Sequence, residues 1–142
     1  PAADKCFYAE DKKGAYLNNK AINITSSVTL SNCLIATGFP YLHDERYDLS
    51  FKIFKEFYGL TRGIRRLGAA SLDLCFVAMG RFDGFWEACL NPWDMAAGVL
   101  IVREAGGRVT AFDGEPFSIY GSHILATNGE IHQQMVDILV CQ

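Results

Sequence analysis

Residues 87–107, EACLNPWDMAAGVLIVREAGG, contain the clearest secondary-structure signals in the chain. Asn91 is a favoured residue at the N-cap of a helix, and Pro92 suits the first helical position, where no backbone N–H is needed. Gly106 and Gly107 accept the positive φ angles that end helices. The pattern predicts the end of a strand, a tight connection and one helix. Its apolar face is expected to consist of residues at helical spacing, namely Trp93, Ala97, Leu100, Ile101 and Ala105.

Asp94 lies in the first turn of this predicted helix, and two roles are open to it. Its carboxylate can cap the helix, because free N–H groups and the helix dipole favour a negative charge there. It can equally bind a hard cation such as Mg²⁺, which prefers carboxylate oxygens on rigid supports. Glu87, at the end of the preceding strand, can face either solvent or a ligand. Spacing alone does not decide between these roles.

The segment WDMAAGVLIVREAGG, residues 93–107, resembles the C-terminal signature of the inositol monophosphatase family, W-D-x-A-A-G-x-x-I-x-x-E-A-G-G. The preceding segment, GIRRLGAASLDLCFVAMGRFDGFWE at 63–87, is similar to the bacterial members of that family. The resemblance covers essentially the whole chain. Where many bacterial relatives read G-S-A-A, residues 68–71 here read G-A-A-S, so that a hydroxyl group is displaced along the chain.

This resemblance implies roles for particular residues. In the family, the acid after the tryptophan binds a catalytic metal ion, which implies that Asp94 is a catalytic residue and a metal ligand. Glu87 matches the acid that accepts hydrogen bonds from substrate hydroxyls. Gly68, Ala69 and Ala70 match a segment that contacts the sugar alcohol through backbone groups. The implied cofactor is Mg²⁺, and the implied substrate is a small phosphorylated sugar alcohol.

The implied activity is hydrolysis of inositol monophosphate, or of a related sugar monophosphate, by metal-activated water. Fructose-1,6-bisphosphatase and 3′-phosphoadenosine 5′-phosphatase share the W-D and E-A-G-G elements, so the substrate stays open. Family members carry a D-P-[IL]-D-G-[TS] motif and an upstream Glu that hold most of the metals, and neither occurs in this sequence. We therefore expect the chain to be the C-terminal part of an enzyme and to be inactive by itself. A non-catalytic folding or dimerisation module is the alternative for the isolated chain.

Helical and strand patterns alternate from about position 28 onward, which is typical of an α/β fold with a mostly parallel sheet. The resemblance implies the layered fold of inositol monophosphatase and fructose-1,6-bisphosphatase. Strand patterns at 6–10 and 15–18 predict a β-hairpin, which in the family belongs to the N-terminal metal-binding domain. We therefore predict a residual hairpin at 1–27 and a C-terminal α/β substrate-binding domain at 28–142.

Composition and charge narrow the expected partners. The net charge of −3 argues against a nucleic-acid-binding protein, and no apolar run approaches the roughly 20 residues of a membrane span. The five cysteines are scattered without a C-x-x-C pair, so we expect reduced core residues of a cytoplasmic protein. The open edge of the hairpin favours pairing with the chain's own N-terminal half or with another copy. A homodimer is expected as well.

Two further clusters of side chains match no known motif, but their positions in the fold can be predicted. An aromatic stripe on a helix predicted at 44–58 is expected to lie in the core or in a subunit interface, and it consists of Tyr47, Phe51, Phe54 and Tyr58. An arginine cluster is expected at a solvated or interface edge, with attraction of a phosphorylated substrate as the alternative, and it consists of Arg62, Arg65 and Arg66.

Overall fold

The computed structural model of the protein describes residues 4–40 and 45–141. The strands are β1 (Phe7–Glu10), β2 (Gly14–Leu17), β3 (Lys20–Ile22), β4 (Leu34–Thr37), β5 (Gly63–Arg65), β6 (Gly84–Ala88), β7 (Arg108–Thr110) and β8 (His123–Thr127). The helices are α1 (Glu45–Leu60), α2 (Ala70–Ala78), α3 (Pro92–Glu104) and α4 (His132–Val140). The predicted α/β class is confirmed. The first residue of the helix predicted at 44–58 lies outside the described residues.

The larger sheet has five strands in the order β5-β4-β6-β8-β7. Strand β4 pairs in parallel with β5 and with β6, whereas β8 is antiparallel to both of its neighbours. The sheet is therefore mixed, and the prediction of a mostly parallel sheet holds for its β5-β4-β6 half. The reason is the connection from β7 to β8, which contains no helix. A parallel neighbour needs a crossover, usually helical, whereas a direct return produces an antiparallel one.

Helices cover both faces of this sheet. Helices α2 and α3 contribute to one apolar core, and α1 and α4 contribute to the other. Strand β6 joins the two cores, because Phe85 lies in the first and the next residue, Trp86, lies in the second. Phe57 of α1 packs on Trp86 with ring centroids 4.4 Å apart. The arrangement is a three-layer α/β fold in which α2 and α3 share one face.

Helix α3 has the predicted limits but a different buried face. Ile101 and Ala105 are buried as expected, whereas Ala97 is exposed and Trp93 is 78% exposed. The prediction was wrong for those two residues because α3 packs against α2 as well as the sheet. A Cβ atom at Gly98 would lie only 2.7 Å from the Cβ of Leu74, so the glycine permits this close approach.

The predicted hairpin is a three-stranded meander in the order β1-β2-β3, and its strands β1 and β2 pack against α3. Glu104 holds it in place, because the backbone N–H groups of Lys12 and Gly14 donate to its carboxylate at 2.9 and 2.8 Å. These hydrogen bonds lower the pKa of Glu104. Ala15 is buried, while Tyr8 on the other face is 41% exposed. The division of the chain near residue 27 stays a prediction.

The aromatic stripe of α1 lies mainly outside the core. Phe51 and Tyr58 are exposed, and the residues of α1 that are buried are Ile53 and Phe57. Phe39, from the loop after β4, stacks on Phe51 with ring centroids 4.6 Å apart. The core alternative is therefore wrong for the exposed rings, and the subunit-interface alternative stays a prediction.

All five cysteines belong to the described residues and are free. Only Cys33 and Cys75 are buried, so the expectation that most of the five lie in the core is wrong. The other three lie at exposed positions and are Cys6, Cys89 and Cys141. In the described part of the chain, no helix has both the length and the apolar character needed to cross a membrane.

A fully buried histidine links α4 to the end of the sheet. Nδ1 of His132 lies 2.8 Å from the hydroxyl of Thr127, and Nε2 lies 2.9 Å from the hydroxyl of Thr110. The Thr110 hydroxyl already donates to the carbonyl of Ala111 at 2.6 Å, so it accepts from Nε2–H. The neutral ring with its proton on Nε2 has none on Nδ1, so the Thr127 hydroxyl, which also accepts from the N–H of Gly129, donates to Nδ1. This network holds the imidazole in its neutral form.

Acid is expected to destabilise the protein through His132. Burial lowers its pKa from 6.5 to about 4, and Arg108 adds to this effect. The unfolded chain then binds the additional proton between these values, so stability is fully present above pH 6.5 and falls toward pH 4. The contribution is about 3 kcal/mol. Urea unfolding from pH 7.5 to 4.5 should show a steeper loss of unfolding free energy for the native protein than for His132→Gln.

The glutamine in His132→Gln can form hydrogen bonds but does not titrate, which makes it the matched control. Acids with raised pKa values, such as Asp73 and Glu87, act in the opposite direction, but they are common to both proteins and cancel in the comparison. Parallel pH profiles for the two proteins would contradict this prediction.

Candidate active site

A cavity of about 660 Å³ lies at the edge of the sheet where β4, β5 and β6 end. These three strands are parallel, so their carboxyl ends meet at one edge. The chain leaves β4 toward α1 on one face and leaves β5 toward α2 on the other. Ligands of open α/β sheets bind in the crevice that such a change of direction opens.

All five residues predicted for the site line this cavity. Gly68 and Ala69 lie between β5 and α2, and Ala70 is the first residue of α2. Glu87 lies near the end of β6, and Asp94 lies in the first turn of α3. Gly68 has a φ of +87°, a conformation that favours glycine. Ala69 is the N-cap of α2 and provides no side-chain hydrogen bond to the first turn. The structure thus brings the predicted residues together, and their individual roles stay predictions.

Asp94 caps its helix with one oxygen. The backbone N–H of Asn91 donates to Oδ2 of Asp94 at 3.0 Å, as the capping alternative predicted. Asp94 is half-buried and borders the cavity. A carboxylate oxygen on a rigid helix start suits Mg²⁺, so capping and metal binding are compatible at this residue.

Asp94 would be one ligand of a larger metal site. Within residues 4–40 and 45–141, no three side chains of His, Cys, Asp or Glu converge so that they could hold a metal ion together. Mg²⁺ releases its water ligands reluctantly and needs several oxygen donors to be held firmly. A metal ion bound by Asp94 would therefore need further ligands.

Glu87 is partly buried at the cavity wall. Its pKa is raised to about 7, mainly by burial; the carboxylates of Asp73 and Asp94 act in the same direction, and the guanidinium of Arg66 opposes them. A carboxyl group with such a pKa changes protonation state near neutral pH, so it can accept or donate a hydrogen bond there.

Gly38, directly after β4, makes room for the Glu87 side chain. The carboxyl group of Glu87 occupies the space in which a Cβ atom at position 38 would lie. Any larger residue at this position would therefore displace the carboxyl group or move the loop. The sequence offers only the weak signal of a loop-forming Gly-Phe-Pro run for this contact.

Asp73 in α2 is the main site residue that the sequence analysis missed. It is 1% exposed and lines the cavity. Its Oδ1 atom is buried and has no hydrogen-bond partner in the described part of the chain. Burial raises its pKa to about 7, against the effect of Arg66. A signal was available, because Asp73 is the sole charged residue of α2, within the sequence ASLDLCFVA.

The arginine cluster does not act as one surface. Arg66 lines the cavity, whereas the guanidinium of Arg65 donates to the backbone carbonyl of Ile64 at 3.0 Å. A second arginine of the cavity wall, Arg46 from α1, lies 3.6 Å from the sulfur of Cys89. The edge position predicted for the cluster therefore fits Arg62 and Arg65, which are exposed, while Arg66 lines the cavity.

The whole chain, residues 1–142, matches the model of the inositol monophosphatase family. An inositol-1-monophosphatase from Synechocystis sp. is 45% identical over 139 residues, which are 98% of this chain and 48% of that protein. The Nus factor SuhB of Pseudomonas aeruginosa is 43% identical over 130 residues, which are 90% of this chain and 48% of that protein.

A solved structure of inositol monophosphatase from Anabaena (Nostoc) sp. superposes with a TM-score of 0.95 at 42% identity. The superposition covers 99% of this chain and 57% of that one. The chain spans about half the length of these relatives. Because the family model matches it from end to end, the chain belongs to the inositol monophosphatase family.

Proposed function

We propose that the protein containing this chain is a Mg²⁺-dependent phosphatase that hydrolyses inositol monophosphate or a related small sugar monophosphate. The observation that carries the proposal is the convergence of Glu87, Asp94 and the 68–70 loop on one cavity. These residues come from three separate elements and match the family's metal-binding and substrate-binding positions. The cavity is large enough for a phosphorylated six-carbon ring, because ligand pockets are typically about 300–1,000 Å³.

In this proposal the chain contributes mainly recognition. Glu87 accepts hydrogen bonds from substrate hydroxyls, and the backbone of Gly68, Ala69 and Ala70 orients the ring. Asp94 would hold one metal ion through Oδ1 while Oδ2 keeps the helix capped. Bound Mg²⁺ would supply charge neutralisation at the phosphate, an activated water and stabilisation of the leaving alkoxide. Uncatalysed hydrolysis of phosphate monoesters is among the slowest reactions known, so all of this assistance is needed.

The identity of the substrate is a separate part of the proposal and can be tested directly. Turnover by the full-length protein with Mg²⁺ should be compared for inositol 1-phosphate, fructose 1,6-bisphosphate and 3′-phosphoadenosine 5′-phosphate. The highest kcat/KM is expected for inositol 1-phosphate. A higher value for either of the other compounds would assign the protein to another branch of the superfamily. If none of the three compounds is hydrolysed with Mg²⁺, the phosphatase proposal is refuted, and the alternative of a folding or dimerisation module remains.

We also propose that the chain works with its own N-terminal half and as a homodimer in the cytoplasm, without nucleic-acid or membrane partners. The exposed rings of α1 and the exposed face of the meander support association, because apolar surface of this kind favours contact with another chain. The free cysteines support a reducing compartment. Light scattering on the full-length protein tests the dimer, and a monodisperse monomer would contradict it.

Gly38→Ala is expected to weaken substrate binding. The new methyl group would occupy the position of the Glu87 carboxyl group and displace it from the cavity wall. The KM for inositol 1-phosphate should rise about tenfold, the equivalent of one lost hydrogen bond to a charged group, with a smaller change in kcat. Steady-state kinetics on the full-length protein provide the measurement.

Gly59→Ala is the matched control, because a Cβ atom at Gly59 meets nothing within 4 Å. Both variants add one methyl group, but only the one at position 38 reaches the cavity. Unchanged kinetics for Gly38→Ala would show that the loop adapts without moving Glu87.

A further inference from the structure

We propose that Asp73 is a second recognition carboxylate of this cavity, which accepts a hydrogen bond from a substrate hydroxyl beside the one held by Glu87. The inference rests on the proposed function, because it assigns a polyol phosphate to the cavity. It adds a specificity-determining residue that binds the alcohol part of the substrate and leaves the phosphate to other groups.

The first observation is an unpartnered buried oxygen at the cavity. Asp73 is 1% exposed, and its Oδ1 has no hydrogen-bond partner among the described residues. Arg66 influences it electrostatically but forms no ion pair with it in the described structure. A buried polar atom without a partner is strongly unfavourable, so a bound donor group would remove a real penalty. Asp73 is itself one of the lining residues, so a ligand hydroxyl in the cavity can act as the donor once the carboxyl group turns toward it.

The usual structural reason for an acid at this position does not apply. Acids in the first turn of a helix normally accept hydrogen bonds from its free N–H groups. Oδ1 of Asp73 accepts none, and its backbone N–H is already bonded to the carbonyl of Ala69 at 3.0 Å. The N-cap residue of α2, Ala69, also leaves the first turn without a side-chain cap. Oδ1 of Asp73 is therefore buried without a capping contact to its own helix.

The charges around Asp73 favour a hydroxyl over other ligands. Glu87 and Asp94 line the same cavity, so a phosphate placed beside Asp73 would face three carboxyl groups. A ligand ammonium group would instead compete with Arg66, which lies close enough to affect the pKa of both Asp73 and Glu87. A hydroxyl can donate to a carboxylate and accept from a guanidinium. Rotation about the Cβ–Cγ bond of aspartate is easy, so the carboxylate can turn either oxygen toward a hydroxyl.

The test compares a substrate that carries ring hydroxyls with one that carries none. The full-length protein and its Asp73→Leu and Asp73→Asn variants are assayed with inositol 1-phosphate and with p-nitrophenyl phosphate. For Asp73→Leu, the ratio of kcat/KM values between the two substrates should fall about tenfold or more, mainly through the KM for inositol 1-phosphate. Asp73→Asn should show a smaller loss, because its amide oxygen still accepts. Asp48→Asn, an exposed acid in the first turn of α1, is the control.

Stability provides the second readout. Replacing the unpartnered carboxyl group by a leucine of similar size should raise the Tm by about 3 °C or more while discrimination is lost. A structural role predicts the opposite combination, a lower Tm with an unchanged substrate ratio, and that result would overturn the inference. If Asp73→Leu does not fold, the ratio measured with Asp73→Asn decides in the same way.

Failure of the proposed function can be distinguished from failure of the inference on Asp73. If the native protein hydrolyses neither phosphate, the phosphatase proposal falls, and calorimetric binding of inositol 1-phosphate decides the inference on Asp73. Weaker binding by Asp73→Asn than by the native protein would uphold it, whereas equal binding or no binding would overturn it. Turnover by the native protein with an unchanged substrate ratio in the variants would overturn the inference alone.

Discussion

Asp94→Asn is expected to lower the Mg²⁺-dependent kcat/KM of the full-length protein by about a hundredfold or more, because it removes one anionic oxygen from the metal site. The substitution separates the two roles of this residue. The amide oxygen of asparagine can still accept from the N–H of Asn91, so the helix cap is retained. Activity should therefore collapse while the Tm changes little.

The measurement is a Mg²⁺ titration of turnover with a parallel thermal melt. The native protein should saturate at a lower Mg²⁺ concentration than the variant. Asp113→Asn is the matched control, because Asp113 accepts a hydrogen bond in an exposed turn away from the cavity. Full activity with unchanged Mg²⁺ dependence in Asp94→Asn would limit Asp94 to helix capping.

The isolated 142-residue chain should hydrolyse inositol 1-phosphate at less than about a thousandth of the rate of the full-length protein, because under the proposed function charge neutralisation and water activation would need metal ligands besides Asp94. The described residues contain no cluster of three metal-binding side chains, and the sequence lacks the D-P-[IL]-D-G-[TS] motif. One carboxylate from Asp94 leaves a hydrated ion weakly bound. Recognition residues without held metal ions can bind a substrate but cannot activate water.

This comparison needs evidence that the isolated chain is folded. Circular dichroism and a cooperative thermal melt provide it, and addition of the separately produced N-terminal half should restore turnover. Robust metal-dependent hydrolysis by the folded chain alone would contradict the prediction and would require a complete metal site within these residues.

Local backbone chemistry explains the successful predictions for α3. Asn91, Pro92 and the Gly106-Gly107 pair act through their own φ angles and hydrogen bonds, which hardly depend on distant parts of the chain. The helix accordingly begins at Pro92 and ends at Glu104, as the sequence indicated. The same local logic predicted the cap at Asp94. It failed for Trp93, because exposure depends on which neighbours a helix acquires.

The convergence of the site required the resemblance as well as the residues. The sequence alone left Asp94 and Glu87 each with two possible roles, and only the match to a known signature placed them in one site. The structure brings both to one cavity because parallel strands end at the same edge of the sheet. It also shows that Glu104 of the signature holds the meander through two backbone N–H groups, a contact between residues 90 or more positions apart.

The sequence by itself determined the α/β class, the limits of α3, the family and the positions of the main candidate ligands. These features depend on local hydrogen bonding, backbone angles and motifs that are contiguous along the chain. Only the tertiary structure decided that β8 is antiparallel, that Trp93 is exposed, that Gly38 makes room for Glu87, and that Asp73 is buried without a partner. Each of these depends on contacts between distant segments, and burial, which shifts the pKa values of Asp73 and Glu87, arises only when those segments pack together.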